Sequence, residues 1–170
     1  WGSPVKTGKF KDVRGSQKVT FSAKKGQYMK VIYGKSANGK RSYCYISEHN
    51  VMASSEPIPP VTGEFIPQKE ISIVSTNSDR PELAKYILDG KEETYWGTNG
   101  KNGGPYEMVM KLSSTYNVSG FQYTRYKGWD GCGDYKLYIS NTNGNWGSPV
   151  KTGKFKDVRG SQKVTFSAKK

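Results

Sequence analysis

Residues 1–25 and residues 146–170 are the same string, WGSPVKTGKFKDVRGSQKVTFSAKK, set 145 positions apart. An identity of that length is not chance, and it limits the fold more than any bulk property does. Whatever place the segment takes in a folded body, the chain offers two occupants for it. Two origins fit the repetition: a window on a tandem array with a 145-residue period, or a circularly permuted order with overlapping ends. Identical elements that compete for one place also invite domain swapping. Self-association through the duplicated segment is therefore an expected interaction.

The repetition also explains the charge. The chain holds 27 Lys and Arg against 14 Asp and Glu, a formal +13. Each copy carries seven cations (Lys6, Lys9, Lys11, Arg14, Lys18, Lys24 and Lys25 in the first) against the single acid Asp12. The two copies together hold +12, which leaves residues 26–145 at +1. The charge belongs to one segment counted twice and says little about the body. Its plain reading is a solvated face whose lysines guard an edge strand. A patch for anionic glycan or lipid headgroups is the sharper reading. Nucleic acid is not expected, because the aromatics do not interleave with these cations as stacking platforms would. No apolar run approaches the roughly 20 residues of a spanning helix. No basic and apolar leader opens the sequence, so a secreted or cell-surface location is expected only from a signal outside this chain.

Along the chain, short β-rich runs alternate with turn signals. Residues 18–23 alternate Val19, Phe21 and Ala23 with polar neighbours, the period of a half-buried strand. Residues 28–33, 43–52, 71–75, 106–112, 120–126 and 135–140 read as further strands. Residues 53–68 hold four of the eight prolines without periodicity and read as an extended linker. Residues 81–88 are the one helical stretch, with Asp79 as candidate cap, Pro81 in the first turn and Gly90 past the end. About eight strands with little helix predict an all-β, antiparallel sandwich.

A different starting point reveals a pattern. The unit begins at residue 69, runs through one copy of the 25-mer, and ends with 26–53. In that order KYILDGKEETYW (85–96) gives a helical turn, an Asp-Gly, a Thr and a Trp. YEMVMKL (106–112) closes in an aliphatic pair, and VSGFQYTRY (118–126) carries an Arg near its end. Tyr135, Tyr138 and Ser140, then Trp146-Gly147, then Ile46, Glu48 and Val51 complete the series. The unit resembles the discoidin, or coagulation factor 5/8 type C, domains, and among them the family 32 carbohydrate-binding modules. The resemblance implies a jelly-roll sandwich of the galactose-binding-domain type. It assigns 1–53 to the C-terminal strands, 54–68 to a linker and 69–170 to the N-terminal and central strands.

No nucleophile, zinc-protease, P-loop or dinucleotide motif appears, and His49 is the one histidine. The chain is therefore expected not to be an enzyme. The resemblance implies a Ca²⁺ site formed by Asp89, Thr94 and Glu48 with main-chain carbonyls near Tyr86 and Lys91. A hard cation that takes six to eight oxygens suits such a set. The resemblance also implies a glycan face at one loop end, made of Thr98, Asn99, Arg125, Tyr126, Trp129, Asp130, Arg41 and Tyr43. Flat aromatic faces suit the C–H side of a sugar ring, and a few directional polar groups fix its hydroxyls. Cys44 and Cys132 fall near the same loop end in that arrangement, where a disulfide and two buried thiols are both open. The function expected is a non-catalytic glycan-binding module. The alternatives are a structural or adhesive tandem repeat and an anionic-lipid-binding discoidin domain.

Overall fold

The computed structural model describes residues 17–34, 36, 45–54, 64–98, 104–126, 131–155 and 160–161. Nine strands among them join in one curled antiparallel sheet. They are β1 Gln17–Tyr33, β2 Tyr45–Ser54, β3 Glu64–Phe65, β4 Ile71–Thr76, β5 Trp96–Gly97, β6 Tyr106–Arg125, β7 Asp134–Ser140, β8 Lys151–Lys154 and β9 Gly160–Ser161. The all-β, antiparallel architecture expected from the sequence is the one that forms.

β6 organises the rest. It pairs with β1, β2, β4 and β9. Its inward residues are Tyr106, Met108, Met110, Leu112 and Val118, after which the burial changes parity to Phe121 and Tyr123. The switch coincides with register irregularities opposite Gly120 in both β1 and β2. An irregularity of that kind turns the following side chains to the other face. For the same reason 106–112 and 120–126 read as two strands in the sequence and fold as one. β1 likewise fuses two predicted strands, 18–23 and 28–33. At Gly26 it presses so closely on β7 that a Cβ would stand 2.3 Å from Ile139 Cγ2.

The core is aromatic on one side. Phe155 stacks on Tyr123 at 4.3 Å between centroids and lies 4.4 Å from Tyr135, with Phe121 edge-on at 5.9 Å. Burial of such side chains contributes about 1.5–3 kcal/mol each, and the ring pairs add about 0.5–1.5 kcal/mol. Phe155 belongs to the second 25-mer, so that copy supplies core.

The helical stretch corrects one expectation. Pro81–Leu88 forms, with Pro81 leading and Gly90 at φ +74° beyond its end, but as a 3-10 helix. Its N-terminal boundary is Arg80, with no side-chain cap, so Asp79 is not the cap. Asp79 lies one residue too early. The linker is also shorter at its C-terminal side than its prolines suggest. β3 pairs Phe65 with Met52, and Ile66 is buried.

Both copies of the 25-mer enter the sheet. β9 of the second copy places Gly160 opposite Arg125 and Ser161 opposite Thr124. β1 of the first copy places Gln17 opposite Tyr123 and Lys18 opposite Gln122. The Ser161 equivalent in the first copy is Ser16, whose successor is Gln17. The ladder on β6 therefore passes from one copy to the other without losing register. Residues 1–16 and 162–170 lie outside the described residues.

Candidate functional site

Two clusters carry the chemistry that the sequence singled out. The first joins the start of β2 to the turn after the 3-10 helix. Asp89 folds this turn on itself: its carboxylate accepts the Lys91 N–H at 2.9 Å and the Thr94 hydroxyl at 2.8 and 2.9 Å. Thr94 Oγ1 also lies 3.0 Å from the Lys91 carbonyl. Tyr86, on the last turn of the helix, has Lys85 Nζ 5.4 Å from its ring centroid. Glu48 reaches this turn from β2. It is 6% exposed, Gln68 Nε2 donates to its Oε2, and its Oε1 is buried without a hydrogen-bond partner.

Burial pushes the Glu48 carboxyl up to about 7, and the facing Asp89 carboxylate pushes in the same direction. The Gln68 bond and the Lys91 N–H oppose the rise. Raised to about 7, the Glu48 carboxyl is half protonated at neutral pH, and its approach to Asp89 favours the protonated form. A Ca²⁺ fits this donor set: two carboxylates, a hydroxyl and main-chain carbonyls are all hard oxygens. Among the described residues no group of three or more His, Cys, Asp or Glu that could hold a metal ion forms. Asp89, Thr94, Glu48 and Lys91 are thus brought together, with Tyr86 three residues before Asp89.

His49, the next residue, faces the core. It is fully buried, shares a hydrogen bond with the Tyr33 hydroxyl through Nε2, and its Nδ1 lacks a partner. Burial alone drives its pKa down to about 3, so it is a neutral core group.

The second cluster lies where β2, β5 and β6 end together. Tyr45 stands opposite Gly97, and Ile46 opposite both Trp96 and Arg125. Arg125 closes β6, its stem packed on Gly131, where a Cβ would come within 2.9 Å of Cδ. Tyr126 follows, its ring 4.4 Å from Tyr95, and Tyr95 meets Tyr45 edge-on at 5.4 Å. These half-buried tyrosines form a row at the end of the sheet. Thr98, the residue after β5, is 1% exposed, its hydroxyl without a hydrogen-bond partner. Tyr123 braces the end: its hydroxyl accepts the Cys132 N–H at 2.8 Å and reaches the Tyr45 carbonyl at 3.5 Å. Cys132 is disulfide-bonded, and the chain's other cysteine, Cys44, lies outside the described residues.

Of the residues read as the glycan face, Arg125 and Tyr126 are half-buried at this end of the sheet, whereas Thr98 is buried. Asn99, Trp129, Asp130, Arg41 and Tyr43 fall outside the described residues. Tyr45 and Tyr95 escaped that reading. Their signal is the flanking aromatic in TYWG and YCYIS, which pattern alone does not separate from core.

Residues 71–170 match the F5/8 type C domain family. A sialidase of Micromonospora viridifaciens is 29% identical over 119 residues, 64% of this chain and 18% of the sialidase. A galactose oxidase of Gibberella zeae is 27% identical over 111 residues, 60% of this chain and 15% of the oxidase. The chain spans less than a fifth of each of these relatives.

Proposed function

The chain belongs to the F5/8 type C domain family, and on that premise we propose that it is a non-catalytic glycan-binding module with a structural Ca²⁺. The observation that carries the reading is the Tyr45–Tyr95–Tyr126 row, which lies at the end of the sheet where Arg125 closes β6. Tyrosine rings offer flat apolar faces with polar tips, suited to the C–H side of a pyranose. A guanidinium offers paired N–H donors in a fixed fork, suited to adjacent hydroxyls. The nearby sequence adds Trp129, Asp130, Asn99, Arg41 and Tyr43, all types that serve the same recognition. The relatives are named as a sialidase and a galactose oxidase, which supports a sugar as ligand. The module binds, and no bond-breaking step is assigned to it.

Asp89, Thr94, Glu48 and the carbonyls of Tyr86 and Lys91 are the proposed Ca²⁺ holders. The cation supplies positive charge between two carboxylates when bound. These residues tie β2, a late strand of the unit in family order, to the turn after its first helix. Calcium would therefore fasten the two ends of the unit. A disulfide at Cys132 supports an oxidising location, secreted or on the cell surface.

The test is a glycan array read with and without EDTA, including galactose- and sialic-acid-terminated oligosaccharides. Capture of a terminal-sugar class by the intact chain supports the proposal. No capture at millimolar glycan, the weak range expected for a small open site, overturns it.

A further inference from the structure

Where β6, β1 and β7 lie side by side, the sheet has an outer face that the loop end does not use. Met29, Val31 and Tyr33 of β1 are buried, so the alternate residues Tyr28, Lys30 and Ile32 face away from the core. Pairing extends that face sideways. Tyr28 stands between Lys111 and Ser140, Lys30 between Val109 and Tyr138, and Ile32 between Glu107 and Lys136. Lys111, Lys30 and Lys136 therefore fall on one diagonal across the three strands. Diagonal neighbours stand about 7–8 Å apart, which sets the outer two lysines about 15 Å from each other.

The middle lysine is engaged. Lys30 Nζ lies 3.8 Å from the Glu107 carboxylate, 4.8 Å from the Tyr138 ring centroid and 5.1 Å from the Trp146 ring centroid, and its side chain is 13% exposed. An ammonium against the face of an indole holds the ring to the sheet. Trp146 is half-buried and follows an exposed turn that Ser140 folds: its Oγ donates to the Asn145 carbonyl at 2.7 Å and accepts the Thr142 N–H at 3.2 Å. The outer lysines are different. Both are exposed, and among the described residues neither is ion-paired. The acids of this face, Glu107 and Asp134, are taken by Lys30 and Lys154. Two unneutralised cations thus flank the lysine that carries the Trp146 ring.

We propose that this face is a second binding site, for a linear polysaccharide that bears carboxylates along its length. The Trp146 ring takes the C–H side of one sugar, and Lys111 and Lys136 take carboxylates on either side of it. Charge complementarity selects an acidic chain, since a neutral one gains nothing from the two ammonium groups. Tyr28, Tyr138 and Trp146 are all half-buried, so the face offers rings to lie on and no projecting apolar tip to enter a bilayer. The site is separate from the loop end: Lys111 and Arg125 lie on opposite sides of the register shift between Lys111 and Tyr116 of β6.

Affinity electrophoresis of the intact chain through gels holding polygalacturonate, or its neutral methyl ester, tests this. Polygalacturonate should retard the chain and the ester should not, and the retardation should vanish in 1 M salt, where the screening length is about 3 Å. Lys111→Gln with Lys136→Gln should weaken binding at least about tenfold, with Tm shifted by less than about 3 °C because both side chains are exposed. Lys24→Gln with Lys25→Gln removes the same charge from another part of β1 and should change affinity by less than about twofold. No retardation by polygalacturonate overturns the proposal. Undiminished binding by the Lys111/Lys136 variant also overturns it, because the duplicated basic segments then hold the polyanion. An equal loss in the Lys24/Lys25 variant overturns it too, because net charge alone then accounts for the binding.

Discussion

Ser161 and Gln17 occupy consecutive places along one strand, opposite Thr124 and Tyr123 of β6, although they lie near opposite ends of the chain. That juncture makes the described fold a permuted one: the second copy of the 25-mer supplies its opening residues and the first copy its last. The unit assembled this way follows the order of the F5/8 type C family, to which the chain belongs.

The division of labour predicts unequal effects at equivalent positions. Phe155 is packed among Tyr123, Tyr135 and Phe121. Its truncation to Ala should cost about 3–5 kcal/mol of unfolding free energy. Phe10→Ala, the same substitution in the other copy, should stay within about 0.5 kcal/mol. Urea denaturation of both variants checks this. Equal losses would place the first copy in the core instead.

The facing carboxylates predict a calcium-dependent melting temperature. Saturating Ca²⁺ at about 100 times its Kd should add about 2.7 kcal/mol. EDTA should reverse the gain. Asp89→Asn and Glu48→Gln should abolish the Ca²⁺ response while leaving a folded chain. Calorimetry with an unchanged Tm across EDTA and millimolar Ca²⁺ would remove the metal from the account.

The pH dependence follows from two adjacent residues of opposite sign. Glu48, raised from an ordinary 4.5 to about 7, contributes stability below pH 4.5 that is lost as pH rises through 7. His49, lowered from 6.5 to about 3, contributes stability above pH 6.5 that is lost as pH falls toward 3. In EDTA the two offset each other between pH 4.5 and 6.5, and unfolding free energy should be nearly flat there. Glu48→Gln removes the offset. The variant should lose about 1.4 kcal/mol per pH unit below pH 6.5. A variant with no slope in denaturant titrations from pH 7 to 5 would contradict a neutral buried His49.

Much of this was legible in the sequence. Alternation at Val19, Phe21 and Ala23 and the apolar series in β4, β6 and β7 mark strands because the side-chain period of two is written directly in residue order. The fusion of 106–112 with 120–126 was not, because a mid-strand irregularity shows only in pairing. Asp89, Thr94 and Lys91 are near neighbours in sequence, whereas Glu48 reaches them only through the fold. The burial of Phe155 is not written in residue order, since it depends on β7 and β8 forming a hairpin. The tyrosine row was hidden for the same reason: Tyr45, Tyr95 and Tyr126 lie on three different elements.

The central claim is that a sugar binds at the end of β6. Isothermal titration with lactose and with a sialylated lactose, on the intact chain and on Arg125→Ala, tests it most directly. The account predicts saturable binding of at least one of them by the intact chain and a loss of at least about tenfold in Arg125→Ala, about 1.4 kcal/mol, with Tm shifted by less than about 3 °C. Equal affinity in the two proteins, or no heat of binding from either sugar, would contradict it.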